Sequence, residues 1–364
     1  MTIKEITALV EEIAPLSYAE DFDNTGLLVG HADRECTGVL VTLDTLEEVV
    51  DEAIEKGCNL IFSFHPIIFG GLKKITGRSY VERVVLKAIK NDIAIYAIHT
   101  ALDNSFQGVN ARMCEVLGLK NQKILIPKTG TIKKLITFIP SEHADTLRTA
   151  LFQAGAGNIG NYSHCSFNLE GTGTFKGEEG SQPQYGKKGE LHRETETQVG
   201  VTFEKHLEKV ILKTLFENHP YEEVAYEVHT LDNTHQHIGI GMTGEFQEPM
   251  KEADFLRLVK EVFNTGCVRH SAQTGKPVKK VAVLGGSGAF GINHAIASGA
   301  DAYVTGDLKY HDFYKAEGKI LLADPGHYET EQFTKNLLVE YLRKKIANFA
   351  IVLSVCNTNP VKYL

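Results

Sequence analysis

Thr37-Gly38-Val39-Leu40-Val41-Thr42-Leu43 is one largely apolar run, and Asn59-Leu60-Ile61-Phe62-Ser63 is a second. Short runs without polar alternation suit strands covered on both faces. Between them, Leu46 to Lys56 reads as a helix. Asp44 and Thr45 stand where its caps belong, and Gly57 stops it. A helix over Tyr80 to Lys90 and a strand over Ile93 to Ile98 continue the alternation. Strand, helix, strand, helix in this order predicts parallel strands crossed by helices. Two of these strands run out into His65-Pro66 and His99-Thr100.

Outward from this segment, Ile6, Leu9, Val10 and Ile13 fall at helical spacing within Ile3 to Ile13, and Pro15 ends that helix. The rhythm changes after Lys128. Strands are expected over Lys134 to Pro140 and Ala225 to Leu231, helices over Ala144 to Ala154 and Glu204 to Asn218. The polar, glycine-rich stretch Gly155 to Glu194 lies between, and Lys176 to Glu194 within it reads as a solvated loop. The parallel pattern resumes after Ile238: a helix over Phe255 to Phe263, strands over Lys280 to Leu284, Ala302 to Thr305 and Ile320 to Ala323, a helix from His327 to Lys345, and a strand over Ala350 to Ser354. The expected class is α/β: a discontinuous core of residues 1–127 and 238–364 with mostly parallel sheets flanked by helices, interrupted by an α+β insert, residues 128–237.

The chain has 364 residues, 43% hydrophobic and 23% charged, enough for ordinary cores and unlike a disordered or fibrous chain. A net charge of −8 argues against dedicated nucleic-acid binding. No apolar run approaches the length of a membrane-spanning helix. Six cysteines without a CxxC pair form neither a zinc ribbon nor a disulfide framework. With no secretory signal at Met1 to Ile6, a cytoplasmic protein with reduced thiols is expected.

Open α/β sheets place ligands at the carboxyl ends of their strands. His65, His99, Asp103 and Asp307 all fall there, and His327 follows the strand Ile320 to Ala323. His327 and Glu331, four apart at a helix start, share one face. That imidazole and carboxylate, near another imidazole and Asp103, are expected to make a ligand set for zinc, iron or manganese. Taken singly, a histidine at a strand end is commonly structural, and His/Glu at this spacing is a common solvent-facing pair. Gly286-Ser287-Gly288-Ala289-Phe290-Gly291 matches a dinucleotide fingerprint, with Asp307 at the distance of a ribose contact; a tight turn accounts for the same glycines. His219-Pro220-Tyr221-Glu222-Glu223 reads as a ligand site or as a turn stopped by Pro220. His229, His235 and His237 read as surface residues.

The segments Asp23-Asn24-Thr25-Gly26-Leu27-Leu28-Val29-Gly30, Ser63-Phe64-His65-Pro66-Ile67-Ile68-Phe69, His99-Thr100-Ala101-Leu102-Asp103, Gly285-Gly286-Ser287-Gly288, Thr305-Gly306-Asp307-Leu308-Lys309-Tyr310-His311 and Gly326-His327-Tyr328-Glu329-Thr330-Glu331 resemble, in order, those of the Nif-three-like family, labelled GTP cyclohydrolase I type 2 homologs. Gly155 to His164 and His219 to Glu223 resemble the P-II/CutA-like insert of its long bacterial members. The resemblance implies a dinuclear site in a toroidal homohexamer, with His65, Asp103, His327 and Glu331 as ligands, Glu331 bridging, and zinc as the expected cation. It places His99 and His311 near the site as proton carriers. It implies a metal-dependent hydrolase acting on a nucleotide or cyclic amide, the small-molecule substrate itself being unidentified. The alternative is a non-catalytic metal-binding scaffold or regulatory hexamer. One departure stands out: the family has two adjacent histidines before the proline, and here the first is Phe64. The expectation is therefore a firm ion on His65, Asp103 and Glu331 and a weak or empty position on His327 and Glu331.

Overall fold

A computed structural model describes all residues, 1–364. It divides into two compact units, Met1–Pro127 with His237–Leu364, and Lys128–Gln236.

The first unit carries two sheets. In one, the strands Ile351–Leu353, Val39–Thr42, Leu60–Ser63 and Ala94–Ala97 run parallel in that order, and Gly26–Val29 closes the edge antiparallel to Ala94–Ala97. Val39–Thr42, Leu60–Ser63 and Ala94–Ala97 are buried throughout, as unalternating apolar runs require. In the other, Val278–Ser287, Ala302–Gly306 and Leu321–Asp324 are parallel neighbours, while Gly239–Met250, Lys120–Pro127 and the short Arg269–His270 join antiparallel. The core is thus mostly parallel, as expected, with some antiparallel strands added. In the first sheet the parallel Ile351–Leu353 forms the other edge, and in the second the antiparallel strands flank a parallel centre. Helices such as Glu47–Glu55 and Tyr80–Lys90 present Val49, Val50, Ala53, Val84, Val85 and Ala88 to the first sheet's core.

Several elements depart from expectation. Asp44 and Thr45 do not cap Glu47–Glu55; Leu46 occupies the cap position, and Asp44 is committed elsewhere. The single helix expected from His327 to Lys345 is two, His327–Glu331 and Thr334–Lys345. Between them, the side-chain amide of Gln332 donates to the carbonyls of Phe263 and Glu329.

The second unit is one antiparallel sheet in the order Phe167–Lys176, Leu191–Glu204, Ile132–Pro140, Tyr226–Leu231. Helices Ala144–Gln153 and Glu208–Asn218 bury Leu147, Leu151, Ile211 and Leu215 against Leu135, Val199 and Val201. The polar stretch Gly155 to Glu194 contains the edge strand Phe167–Lys176, the loop expected to Glu194 already enters the next strand at Leu191, and the helix expected from Glu204 begins at Glu208, after the longest strand.

Candidate metal centre

The carboxyl ends of the two parallel sheets supply the site. His65 follows Leu60–Ser63, His99 follows Ala94–Ala97, and His327 opens the helix after Leu321–Asp324. His99 (φ 24°) and Asp307 (φ 57°) hold left-handed backbone, a sparsely populated region that clusters at functional positions.

Each of these three histidines is fixed by its own aspartate. His65 Nδ1 lies 2.8 Å from Asp44 Oδ1, His99 Nδ1 2.9 Å from Asp23 Oδ1, and His327 Nδ1 2.7 Å from Asp307 Oδ2. These contacts commit Nδ1 as a donor and leave Nε2 as the free ligand atom, the arrangement that orients metal-binding imidazoles. The aspartates are themselves held. Asp44 Oδ2 accepts from Thr358, Asp23 from the Thr100 hydroxyl and amide, and Asp307 from Ser287.

Two of the Nε2 atoms converge on one oxygen. His65 Nε2 lies 3.2 Å and His327 Nε2 3.1 Å from Glu331 Oε2, and the ligand atoms of the three residues all fall within 4.8 Å of one another. Glu331 Oε2 is buried, yet neither imidazole is aligned to give it a hydrogen bond. The contact is charge attraction among atoms that face a common point. Burial raises the Glu331 carboxyl, but the two imidazoles outweigh it and hold it near 2. Burial likewise disfavours charge on the imidazoles, and the carboxylates overcome it, lifting His65 to about 10 and His327 to about 11.

Asp103 sits in the short helix His99–Asp103, fully buried, with Oδ1 lacking any partner. Burial first, then the charge of Glu331, pushes its carboxyl well above the ordinary range. A buried carboxyl so raised, beside an orphaned Glu331 oxygen and two oriented imidazoles, is a donor set that fits a divalent cation. The close trio, however, is His65, His327 and Glu331; Asp103 lies outside it. The sequence expectation divided the two histidines between two ions, whereas their Nε2 atoms crowd the same oxygen.

Phe64 is fully buried under the site, its ring 4.9 Å from that of His65 and 5.5 Å from that of His99. His99 lies 5.2 Å from His65 ring to ring. His311 is not brought to the cluster: it is exposed, and its ring neighbours are Tyr310 and Tyr314.

The glycines of the fingerprint serve this site. A Cβ on Gly286 (φ 68°) would strike Glu331 Oε1 and come within 3.3 Å of His327, and a Cβ on Gly306 would lie 2.8 Å from the His327 Cα. Gly286 also donates to Thr330 Oγ1, and Gly285 to Asn110 Oδ1, whose amide donates on to the Asp103 carbonyl. Asp307 holds His327, the role opposed to a ribose contact. The glycines are therefore a close-approach turn. Asp23 and Asp44 are site residues that the sequence did not mark as such: Asp23 stood only in a segment resembling the family, and Asp44 read as a helix cap.

An α/β chain whose strand ends gather oriented imidazoles around a buried carboxylate belongs to a class of candidate metalloproteins. The family described as Duf34/NIF3 (NGG1p interacting factor 3) matches residues 1–360. The chain belongs to this family. It is 40% identical to the "GTP cyclohydrolase 1 type 2 homolog" of Bacillus subtilis (strain 168), over 99% of this chain and 98% of that one. A counterpart of the same name from Halalkalibacterium halodurans is 39% identical over equal shares. Among solved structures, a Bacillus cereus protein related to NIF3 superposes with a TM-score of 0.87 at 40% identity, covering 100% of this chain and 99% of that one. A Staphylococcus aureus protein gives 0.79 at 31% identity with the same coverage. No helix is long and apolar enough to cross a membrane.

Proposed function

We propose that the chain holds a divalent cation, zinc first among the candidates, on His65, His327 and Glu331 with Asp103 beside them, and acts as a metal-dependent hydrolase. The observation that carries this reading is Glu331 Oε2, buried and without a hydrogen bond although two aspartate-oriented imidazole nitrogens lie 3.1 and 3.2 Å away. Three ligand atoms that face one point without a hydrogen bond among them suit a shared cation. When bound, the cation supplies Lewis-acid polarisation and raises the acidity of water at the site.

The chain's own residues supply the rest. Asp44 and Asp307 orient the two imidazoles. His99, steadied by Asp23, presents Nε2 for proton transfer beside His65. Phe64, buried against the His65 and His99 rings, makes the floor apolar. Phe69 (55% exposed) lies 6.2 Å from the His99 ring and 6.3 Å from Phe22 (67% exposed). Exposed phenyl rings beside a proton carrier suit a flat heterocycle, which supports a nucleotide or cyclic amide substrate, in keeping with the names of the relatives.

Metal analysis of the purified chain tests the centre, followed by hydrolysis assays on GTP and cyclic amides with zinc, iron or manganese. Retained metal that vanishes in His327→Ala, together with turnover that vanishes with it, is the expected result. A chain that retains no metal refutes the reading. Phe64, an apolar ring where the family resemblance leads one to expect an imidazole, favours a second reading, a non-catalytic metal-binding scaffold; bound metal without turnover across these substrates selects it. We also read the assembly as a homohexamer and the insert as P-II/CutA-like. Its antiparallel sheet covered by two helices supports the latter. Light scattering at six times 40.2 kDa is the expected mass.

A further inference from the structure

The inserted unit contains a cavity of about 880 Å3, walled by the strand Phe167–Lys176, by the loop after it and by the turn around Tyr221. Its volume is in the range of small-molecule sites. Four aromatic rings line it: Phe138, Phe175, Tyr185 and Tyr221. Phe175 and Tyr185 each stand edge-on to Tyr221, with centroids 5.6 and 5.9 Å away.

These rings are held in place by polar contacts behind them. His219 Nε2 donates to the Phe138 carbonyl at 3.0 Å, which leaves Nδ1 to accept from the Tyr221 amide at 3.1 Å. The segment His219 to Glu223 is thus a turn whose product is the position of Tyr221. Tyr185 is fixed between His143 and Glu142, both at 2.9 Å from its hydroxyl.

One carboxylate reaches the cavity from the sheet. Glu196 is only 9% exposed, and its Oε1 accepts from the Tyr221 hydroxyl at 2.6 Å. The neighbouring edge strand is cleared of side chains in front of it. A Cβ on Gly173 would collide with the Glu196 carboxylate, and Gly171, paired with Glu196 in register, faces open space. A buried carboxylate with one neutral hydrogen-bond partner favours a cation beside it. The remaining charges agree in sign: Glu170, Glu178, Glu222 and Glu223 also line the cavity, against Lys176 alone. That balance of charge disfavours phosphate-bearing ligands.

We propose that this cavity binds a small organic cation, an ammonium or guanidinium group on an apolar body, with Glu196 as its counter-ion and the rings of Phe175, Tyr185 and Tyr221 as its walls. Aromatic faces and a desolvated carboxylate both favour such a cation.

Calorimetric titration of the full chain in EDTA tests this, with phenethylammonium, agmatine and spermidine as probes and 3-phenylpropionate as the isosteric anion. At least one cation binds with a dissociation constant of about 1 mM or tighter, and the anion does not bind. Glu196→Gln weakens that binding by about tenfold or more, the scale of a hydrogen bond to a charged group. Should Glu196→Gln fail to fold, Tyr185→Leu on the loop wall carries the same test by removing one ring, with weakened binding expected. The proposal is overturned by absence of binding for all three cations, by equal binding of the anion, or by unchanged affinity in the folded variant.

Discussion

Glu331 keeps its charge in a fully buried position because His65 and His327 face it, and those imidazoles stay fixed because Asp44 and Asp307 hold their far nitrogens. The aspartates touch no candidate ligand position themselves, so their effect is on orientation. Asp307→Asn keeps the shape but removes the charge that fixes the imidazole, and metal affinity is expected to fall by about 10–100-fold, the usual cost of losing such a partner. Competition with a chelator measures this. Gly286→Ala acts at the same place by a different route. The added methyl has to displace the Glu331 carboxylate on a backbone with φ 68°, so both retained metal and thermal stability are expected to drop together. A variant that keeps its melting temperature and its metal would show that the glycine is not there for close approach.

At the scale of elements, burial was what the sequence displayed. Val39–Thr42, Leu60–Ser63 and Ala94–Ala97 carry their burial in unalternating apolar runs, and the histidines stand where those runs stop. Lys120–Pro127 was not legible because it becomes a strand by pairing with the distant Gly239–Met250, and Phe167–Lys176 because its side chains are mostly exposed and carry no apolar run. The clustering of His65, His327 and Glu331 was legible as a set of strand ends. The choice of which residue meets which oxygen was not, since it depends on how two sheets abut. Asp44 shows the limit well: its position reads as a helix cap, and only the fold shows its carboxylate turned to His65.

Another carboxylate, Glu52 of the helix Glu47–Glu55, ties that helix to the C-terminal strand region. It accepts from the Ser354 hydroxyl at 2.6 Å and the Val355 amide at 3.0 Å. Burial raises its pKa, and these hydrogen bonds outweigh burial and set it below the ordinary 4.5. A depressed folded value means that its stabilisation is complete above the unfolded value and is lost as pH falls through the folded one. Glu52→Gln is therefore expected to unfold more easily at neutral pH, by about 1–2 kcal/mol. The gap between variant and parent should close as the medium is acidified below pH 4.5. Urea titrations across that range measure the gap, and a gap independent of pH would show that the charge on Glu52 contributes nothing.

For the whole molecule, the insertion point is the informative feature. Pro127 and Gly239 are paired neighbours on adjacent antiparallel strands, so the two ends of the core between which 128–236 intervenes stand side by side. That is the geometry of a hairpin, which a short turn closes as readily as a long insert. The core retains its own hydrophobic clusters around both sheets, including Phe62, Phe64, Phe255 and Phe263. All of His65, Asp103, His327 and Glu331 belong to it. Replacing residues 128–236 by an Asn-Gly turn is accordingly expected to leave a folded core that holds metal as the full chain does, and to abolish binding of organic cations. Phe255→Ala within that core should cost about 3–5 kcal/mol, so cooperative unfolding of the shortened chain, and its loss in this variant, reports whether the core stands alone. Metal retained by the shortened chain at the parental ratio assigns the centre to the core by itself. Metal lost from a shortened chain that still unfolds cooperatively would mean that the insert contributes to the centre, and the site described from the core's residues would be incomplete.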